Sequence, residues 1–195
     1  MRVVDLTQTV CGGMPVYPGD PEVGITRVAS LDEDGCTVHR LELSSQTGTH
    51  VETQLHMLPG RGMEDEPLDR FIGQAVVLDV PLRRLELADL VAFRSLIESC
   101  PFLVLRSGYH PLDDRVDPCD ENRTRFGADC AEWIVARGVR LIGIDAFGFD
   151  YGPQFEAHKV FLRHGVLIVE GLRNLDALTR DTAQLFVIPL KLAGV

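Results

Sequence analysis

Between Gln46 and His56 the chain reads QTGTHVETQLH, and every second position is a polar side chain or a glycine: Gln46, Gly48, His50, Glu52, Gln54, His56. Side chains alternate along an extended chain, so residues two apart share a face. Thr47, Thr49, Val51 and Thr53 favour extension. Gly48 would cost a helix about 1 kcal/mol relative to alanine. The stretch is therefore expected to be extended, with Gln46, His50, Glu52 and His56 on one side and Gly48 free to kink it so that they converge. Imidazole nitrogen and carboxylate oxygen without sulfur suit a divalent ion such as zinc or manganese. The same comb could equally be the wetted face of a strand.

A catalytic ion needs ligands from elsewhere in the chain. His158 shares a helical face with Phe155 and Leu162, so it points inward. Glu170 ends the apolar run VLIVE, where an unpaired carboxylate would be costly. Each has a plainer reading: His158 as a satisfied core histidine, Glu170 as the partner of Arg163 or Arg173.

The elements that must position these residues fall into two textures. Residues 1–60 are rich in turns and β-branched residues. VVDLT is a short strand candidate, MPVYPGDP (14–21) an irregular loop, and ITRVASL and CTVHRLELS are strands around a DEDG turn. From about residue 74 strands and helices alternate. QAVVLDV is a strand. LELADLVAFRSLIES is a helix, with Leu87, Leu90, Val91 and Ile97 near one face and Pro101 as its stop. FLVLRSG is the next strand. The polar run 109–128 is too long for an ordinary connection. ADCAEWIVARG is a helix closed by Gly138, and VRLIGIDAF is a strand. PQFEAHKVFLRHG is a helix opened by Pro153 and closed by Gly165. VLIVEGL and QLFVIPLKLA are the last strands. This is an α/β pattern with a β-rich N-terminal part.

At 195 residues the chain suits one domain, 1–195, large enough to fold without a disulfide or metal staple. A net charge of −10 argues against a nucleic-acid surface, so any acidic substrate must meet local cations. No run approaches a membrane span, and the N-terminus does not read as a signal peptide. Five cysteines without a CxxC fit reduced thiols, so the expected setting is the cytoplasm. His39, His110 and His164 read as surface residues.

The chain resembles the cyclase family of metal-dependent hydrolases, the kynurenine formamidase and isatin hydrolase group. The family signature is H-x-G-T-H-x-D-x-P-x-H; here it reads Q46-T-G-T-H50-V-E52-T-Q54-L-H56. DLTQTVCGGMPVYPGDP, GIDAFGFD (143–150) and EAHKVFLRHGVLIVEGLRNLDAL carry the resemblance over nearly the whole chain. It implies an α/β fold of the swivelling β/β/α type with a mixed sheet, in a homodimer or homotetramer. It implies one or two Zn²⁺ or Mn²⁺ ions, with Gln46, His50, Glu52, His158 and Glu170 at the ligand positions. His56 stands where the family moves protons. Gln46 replaces a histidine of the signature, Glu52 an aspartate, Gln54 a proline, and Gly148 the serine of the G-I-D-x-x-S-x-D segment. A neutral glutamine oxygen weakens zinc binding and favours manganese.

The expected activity is hydrolysis of a small amide, formamide or lactone by a metal-activated water, with His56 as general acid/base. Tyr17, Arg106 and Tyr109 are the substrate-binding candidates. Arg106 follows a strand's carboxyl end, where open sheets bind ligands. It could hold a carboxylate, or simply pair with Asp113 or Asp114. The alternatives are a metal-dependent cyclase or dehydratase, and a non-catalytic binding protein on the same fold.

Overall fold

A computed structural model describes residues 2–109, 123–150 and 154–195. Its N-terminal part carries a two-stranded antiparallel ribbon, β1 (Gly24–Ala29) and β2 (Val38–Glu42). The DEDG turn between them tightens into one helical turn, α1 (Leu31–Asp34). Ser30 caps α1 by accepting from the Glu33 N–H, and Gly35 closes it in the left-handed region at φ 72°.

The rest is a six-stranded mixed sheet in the order β3-β7-β6-β5-β4-β8. Its members are β3 (His50–Glu52), β4 (Ile72–Asp79), β5 (Phe102–Arg106), β6 (Leu141–Ile144), β7 (Leu167–Glu170) and β8 (Thr182–Phe186). The four central strands are parallel, and β3 and β8 flank them antiparallel. The helices are α2 (Leu87–Val91), α3 (Arg94–Ile97), α4 (Ala128–Val135) and α5 (Glu156–Arg163).

The central strands read as unbroken apolar runs because both their faces are covered. Val76, Leu78, Leu103, Leu105, Ile142, Ile144 and Ile168 face the helices, where Ile134 and Phe161 complete the packing. Alternate residues Ala75, Val77, Phe102, Val104, Leu141, Leu167 and Val169 pack on Phe71, Leu172, Leu175 and Leu185. Hydrophobic burial of this kind contributes roughly 25 cal/mol per Å².

Several expected elements differ. VVDLT forms no strand. Its stretch is tied to the sheet's edge by single bonds: Arg173 N–H to the Leu6 carbonyl, Asn174 Nδ2 to the Asp5 carbonyl, and Gln8 N–H to Thr49 Oγ1. The helix expected over 85–99 is broken at Phe93, whose φ −104°, ψ 12° is not helical. Leu90 and Ile97 are both fully buried across the break, while Leu87 and Val91 stay exposed. The last strand stops at Phe186, opposite Ile72, where β4 begins; beyond it the Val187 N–H reaches back to the Phe71 carbonyl. Gly165 closes α5 as expected, at φ 68°. Pro153, the expected opener, lies outside the described residues, and Glu156 begins the helix.

Candidate metal centre

The comb is a strand only over His50–Glu52; 45–46 form a turn, and Gln54–His56 is a single 3₁₀ turn. The expectation of one extended segment from 46 to 56 is corrected accordingly. The Thr47 N–H closes that turn on the Ser44 carbonyl, and Gly48 bends the chain into β3 from φ 63°, a conformation that costs other residues. The side chains nevertheless converge, by bending rather than by alternation alone. Gly48 also faces the N-terminal segment, since a Cβ there would lie 3.4 Å from Met14 Cε and 3.6 Å from Val10.

β3 pairs with β7 so that His50 lies opposite Glu170 and Glu52 opposite Ile168. This register brings three side chains to the face that also receives α5. His50, Glu52 and Glu170 are all buried and offer ligand atoms within 4.8 Å of one another. His50 Nε2 is 3.7 Å from Glu52 Oε1 and 3.8 Å from Glu170 Oε2. Its Nδ1 lies 3.0 Å from the Gly48 carbonyl, to which it donates, and this leaves the Nε2 lone pair free for a ligand. His158 Nε2 is 2.9 Å from Glu170 Oε1 and 3.6 Å from Glu52 Oε2. Glu170 therefore meets imidazoles; neither Arg163 nor Arg173 is its partner.

Gln46 is elsewhere. Its Nε2 lies 3.3 Å from His56 Nδ1, while His56 Nε2 is 3.4 Å from Glu52 Oε1. His56 thus stands at the rim, its side chain 29% exposed, touching the carboxylate from outside. Gln54 faces away and accepts from the Arg61 N–H.

The electrostatics among these side chains are unusual for a protein interior. Burial works against a charged His158, but Glu52, Asp150 and Glu170 outweigh it and hold the imidazolium well above its ordinary range. Burial likewise opposes the charged His50, and Glu52 and Glu170 again prevail, so its value is raised. Burial would raise Glu52, but His158, His50 and His56 bring it below the usual carboxylate value. His50 Nε2 and Glu52 Oε2 remain buried without a hydrogen-bond partner. Buried imidazole and carboxylate atoms left without hydrogen-bond partners, among donor atoms that lie within 4.8 Å of one another, fit a divalent cation with nitrogen and oxygen ligands.

Reading the sequence alone assigned no role to three neighbours of this set. Asp150 receives the Nδ1–H of His158 and the backbone N–H groups of Ala157 and His158. Phe149 stacks on the His158 ring with centroids 4.5 Å apart. Arg123, buried, donates to the carbonyls of Phe147 and Gly148. No local pattern marked Asp150, which lies well ahead of the N-cap position held by Phe155.

The substrate-binding candidates are spread out. Tyr17 is half-buried in a turn closed by the Asp20 N–H to its carbonyl. Asp20 accepts from Ser44 Oγ, which in turn accepts from the Gln46 N–H, so this loop adjoins the comb. Arg106 lies toward the other face, whereas Tyr109 packs against the helix-side core. Arg106 donates from Nε and Nη2 to Asp79, and from Nη1 to the Leu175 and Leu178 carbonyls. It borders a cavity of about 620 Å³ at the carboxyl ends of β4 and β5, walled by Leu172, Leu175 and Leu178 of the second core. The Tyr109 backbone N–H donates to Ser107 Oγ. Asp113 and Asp114, the other partners weighed for Arg106, lie outside the described residues, as does His110.

Residues 4–151 match the family described as "Putative cyclase". A kynurenine formamidase from Erythrobacter litoralis is 33% identical over 207 residues, covering 98% of this chain and 88% of the relative. Among solved structures, a "predicted metal-dependent hydrolase" from Bacillus stearothermophilus superposes with a TM-score of 0.79 at 25% identity, covering 100% of this chain and 93% of its own. Isatin hydrolase A from Labrenzia aggregata shares the fold, with a TM-score of 0.81 at 21% identity and coverage of 97% and 88%.

Proposed function

Since the chain belongs to the cyclase family, we propose that it is a metal-dependent hydrolase acting on a small amide, formamide or lactone. The observation that carries this reading is the two orphaned atoms, His50 Nε2 and Glu52 Oε2, in a buried cluster of two carboxylates and two imidazoles. The kynurenine formamidase relative supports the reaction class.

His50, Glu52 and Glu170 would hold one divalent ion, with His158 Nε2 facing the same two carboxylates. The donor set favours zinc or manganese. When bound, the ion supplies a nucleophilic water at neutral pH and a Lewis acid for the carbonyl. His56 acts at the rim: its Nε2 lies by Glu52, on the side open to solvent, where it can take a proton from the water and hand it to the leaving amine or alkoxide. Gln46 holds that ring from behind. The loop bearing Tyr17 adjoins the same rim and is the proposed substrate wall.

Residues 1–195 are proposed as one domain working in a homodimer or homotetramer. A two-stranded ribbon is marginal alone, and β1 and β2 expose Ile25, Val28, Val38 and Leu41. Cys11, Cys36, Cys100 and Cys130 are free, in keeping with a cytoplasmic setting, and among the described residues no helix is long and apolar enough to cross a membrane.

The deciding experiment is metal content per chain, measured on untagged protein purified without chelator, beside His50→Ala. One equivalent of zinc or manganese, lost in the variant, is expected. Wild type that takes up neither ion when offered overturns the proposal. A panel of formamides, amides and lactones then separates hydrolysis from cyclisation.

A further inference from the structure

Asp150 is 4% exposed and sits ahead of α5, and its side chain accepts hydrogen bonds from that helix. Oδ1 accepts from the Ala157 N–H at 2.7 Å, and Oδ2 from the His158 N–H at 3.2 Å and from the His158 ring at Nδ1. A helix cap needs only the backbone bonds. The ring contact does something further. With its Nδ1 proton committed to Asp150, a neutral His158 has its lone pair on Nε2, and Nε2 is the atom aimed at Glu170 and Glu52. Phe149, stacked on the ring, and Phe155, at 6.0 Å with its plane perpendicular, leave the imidazole one orientation.

We infer that Asp150 is a positioning residue: by holding His158 through Nδ1, it selects the tautomer and rotation that present Nε2 toward Glu52 and Glu170, the residues that would hold the cation. This inference rests on the proposed metal centre. One carboxylate thereby sets both the start of α5 and the aim of the side chain that α5 delivers. Helix and ligand are registered together, since the same group binds the backbone and the ring of His158.

The test is Asp150→Asn, which keeps an acceptor for the Ala157 N–H but turns a donor toward Nδ1. ¹⁵N NMR of the His158 ring is recorded on metal-free protein, alkaline enough for the ring to be neutral, so this arm stands whether or not an ion binds. The wild-type proton is expected on Nδ1, and the Asp150→Asn proton on Nε2. Zinc affinity, by chelator competition, should fall roughly 10–100-fold in the variant, with the Tm of the metal-free protein nearly unchanged. A wild-type ring protonated on Nε2 overturns the inference without any variant. So does an Asp150→Asn protein with unaltered tautomer and affinity, which would make Asp150 a helix cap alone. Wild type that binds no zinc overturns the hydrolase reading instead, and the tautomer still decides the role of Asp150.

Discussion

Two buried acidic positions lie on opposite faces of the same sheet, and they are handled differently. On the helix-covered face, Glu52 and Glu170 meet imidazoles. On the other side, Asp145 follows β6 and accepts from the Ser107 N–H, Ser107 Oγ and the Gly108 N–H. Burial raises Asp145 above the usual carboxylate range in spite of those bonds. Glu52, more completely enclosed, is lowered, because its neighbours can carry positive charge. Fixed backbone dipoles satisfy hydrogen bonds and make a post that ties two loops together. Ionisable neighbours with vacant lone pairs make a place where a cation can take over from protons.

The comparison breaks most sharply if both acids are truncated. Glu52→Ala should abolish metal uptake and turnover together, by elemental analysis and a formamide assay. His56→Ala should lower turnover by roughly 10²–10⁴ and leave the bound ion in place; loss of the ion would make His56 a ligand. Asp145→Ala should leave metal content unchanged and cost about 1–3 kcal/mol, because its amide donors lose their acceptor. Urea unfolding measures that cost, and an altered metal content would show the two faces to be coupled.

The smallest expected effect sharpens the comparison through pH. In metal-free protein His158 and His50 titrate above their unfolded values. The stability they contribute is complete below about pH 6.5 and is lost as pH rises through their folded values. Glu52, lowered, contributes stability above about pH 4.5 that is lost as pH falls through its folded value. Ion binding requires neutral imidazoles, so the stabilisation conferred by zinc should grow over the range in which the metal-free protein weakens. Tm scans of both forms across neutral and alkaline pH would show the two curves diverging. Parallel curves would mean that these histidines do not exchange protons for metal.

Much of this was legible in the sequence, for traceable reasons. His50 and Glu52 follow from alternation, which local sterics enforce over even three residues. The central strands announce themselves because both faces are covered. His158 and Glu170 needed the family resemblance, since no local pattern says that residues so distant in the chain will meet. The Gln46–His56 contact was illegible because it depends on where a left-handed glycine and a 3₁₀ turn cut the strand short. The break at Phe93 and the early end of β8 are tertiary: one follows the burial of Leu90 and Ile97, the other falls where the partner strand begins.

β3 is three residues long and lies at the edge of its sheet. Beside it, Thr49 Oγ1 donates to the Gly171 carbonyl at 2.6 Å, between positions 122 apart in sequence, and a Cβ on Gly171 would come within 2.6 Å of the Gly48 carbonyl. An ion shared by His50, Glu52 and Glu170 would rivet this short edge to β7 and close a long loop of chain. Opening of that edge would remove two of its three ligands from the third at once. Metal release should be a slow first-order process whose rate does not change with chelator concentration, and it should match the hydrogen exchange of the β3 amides.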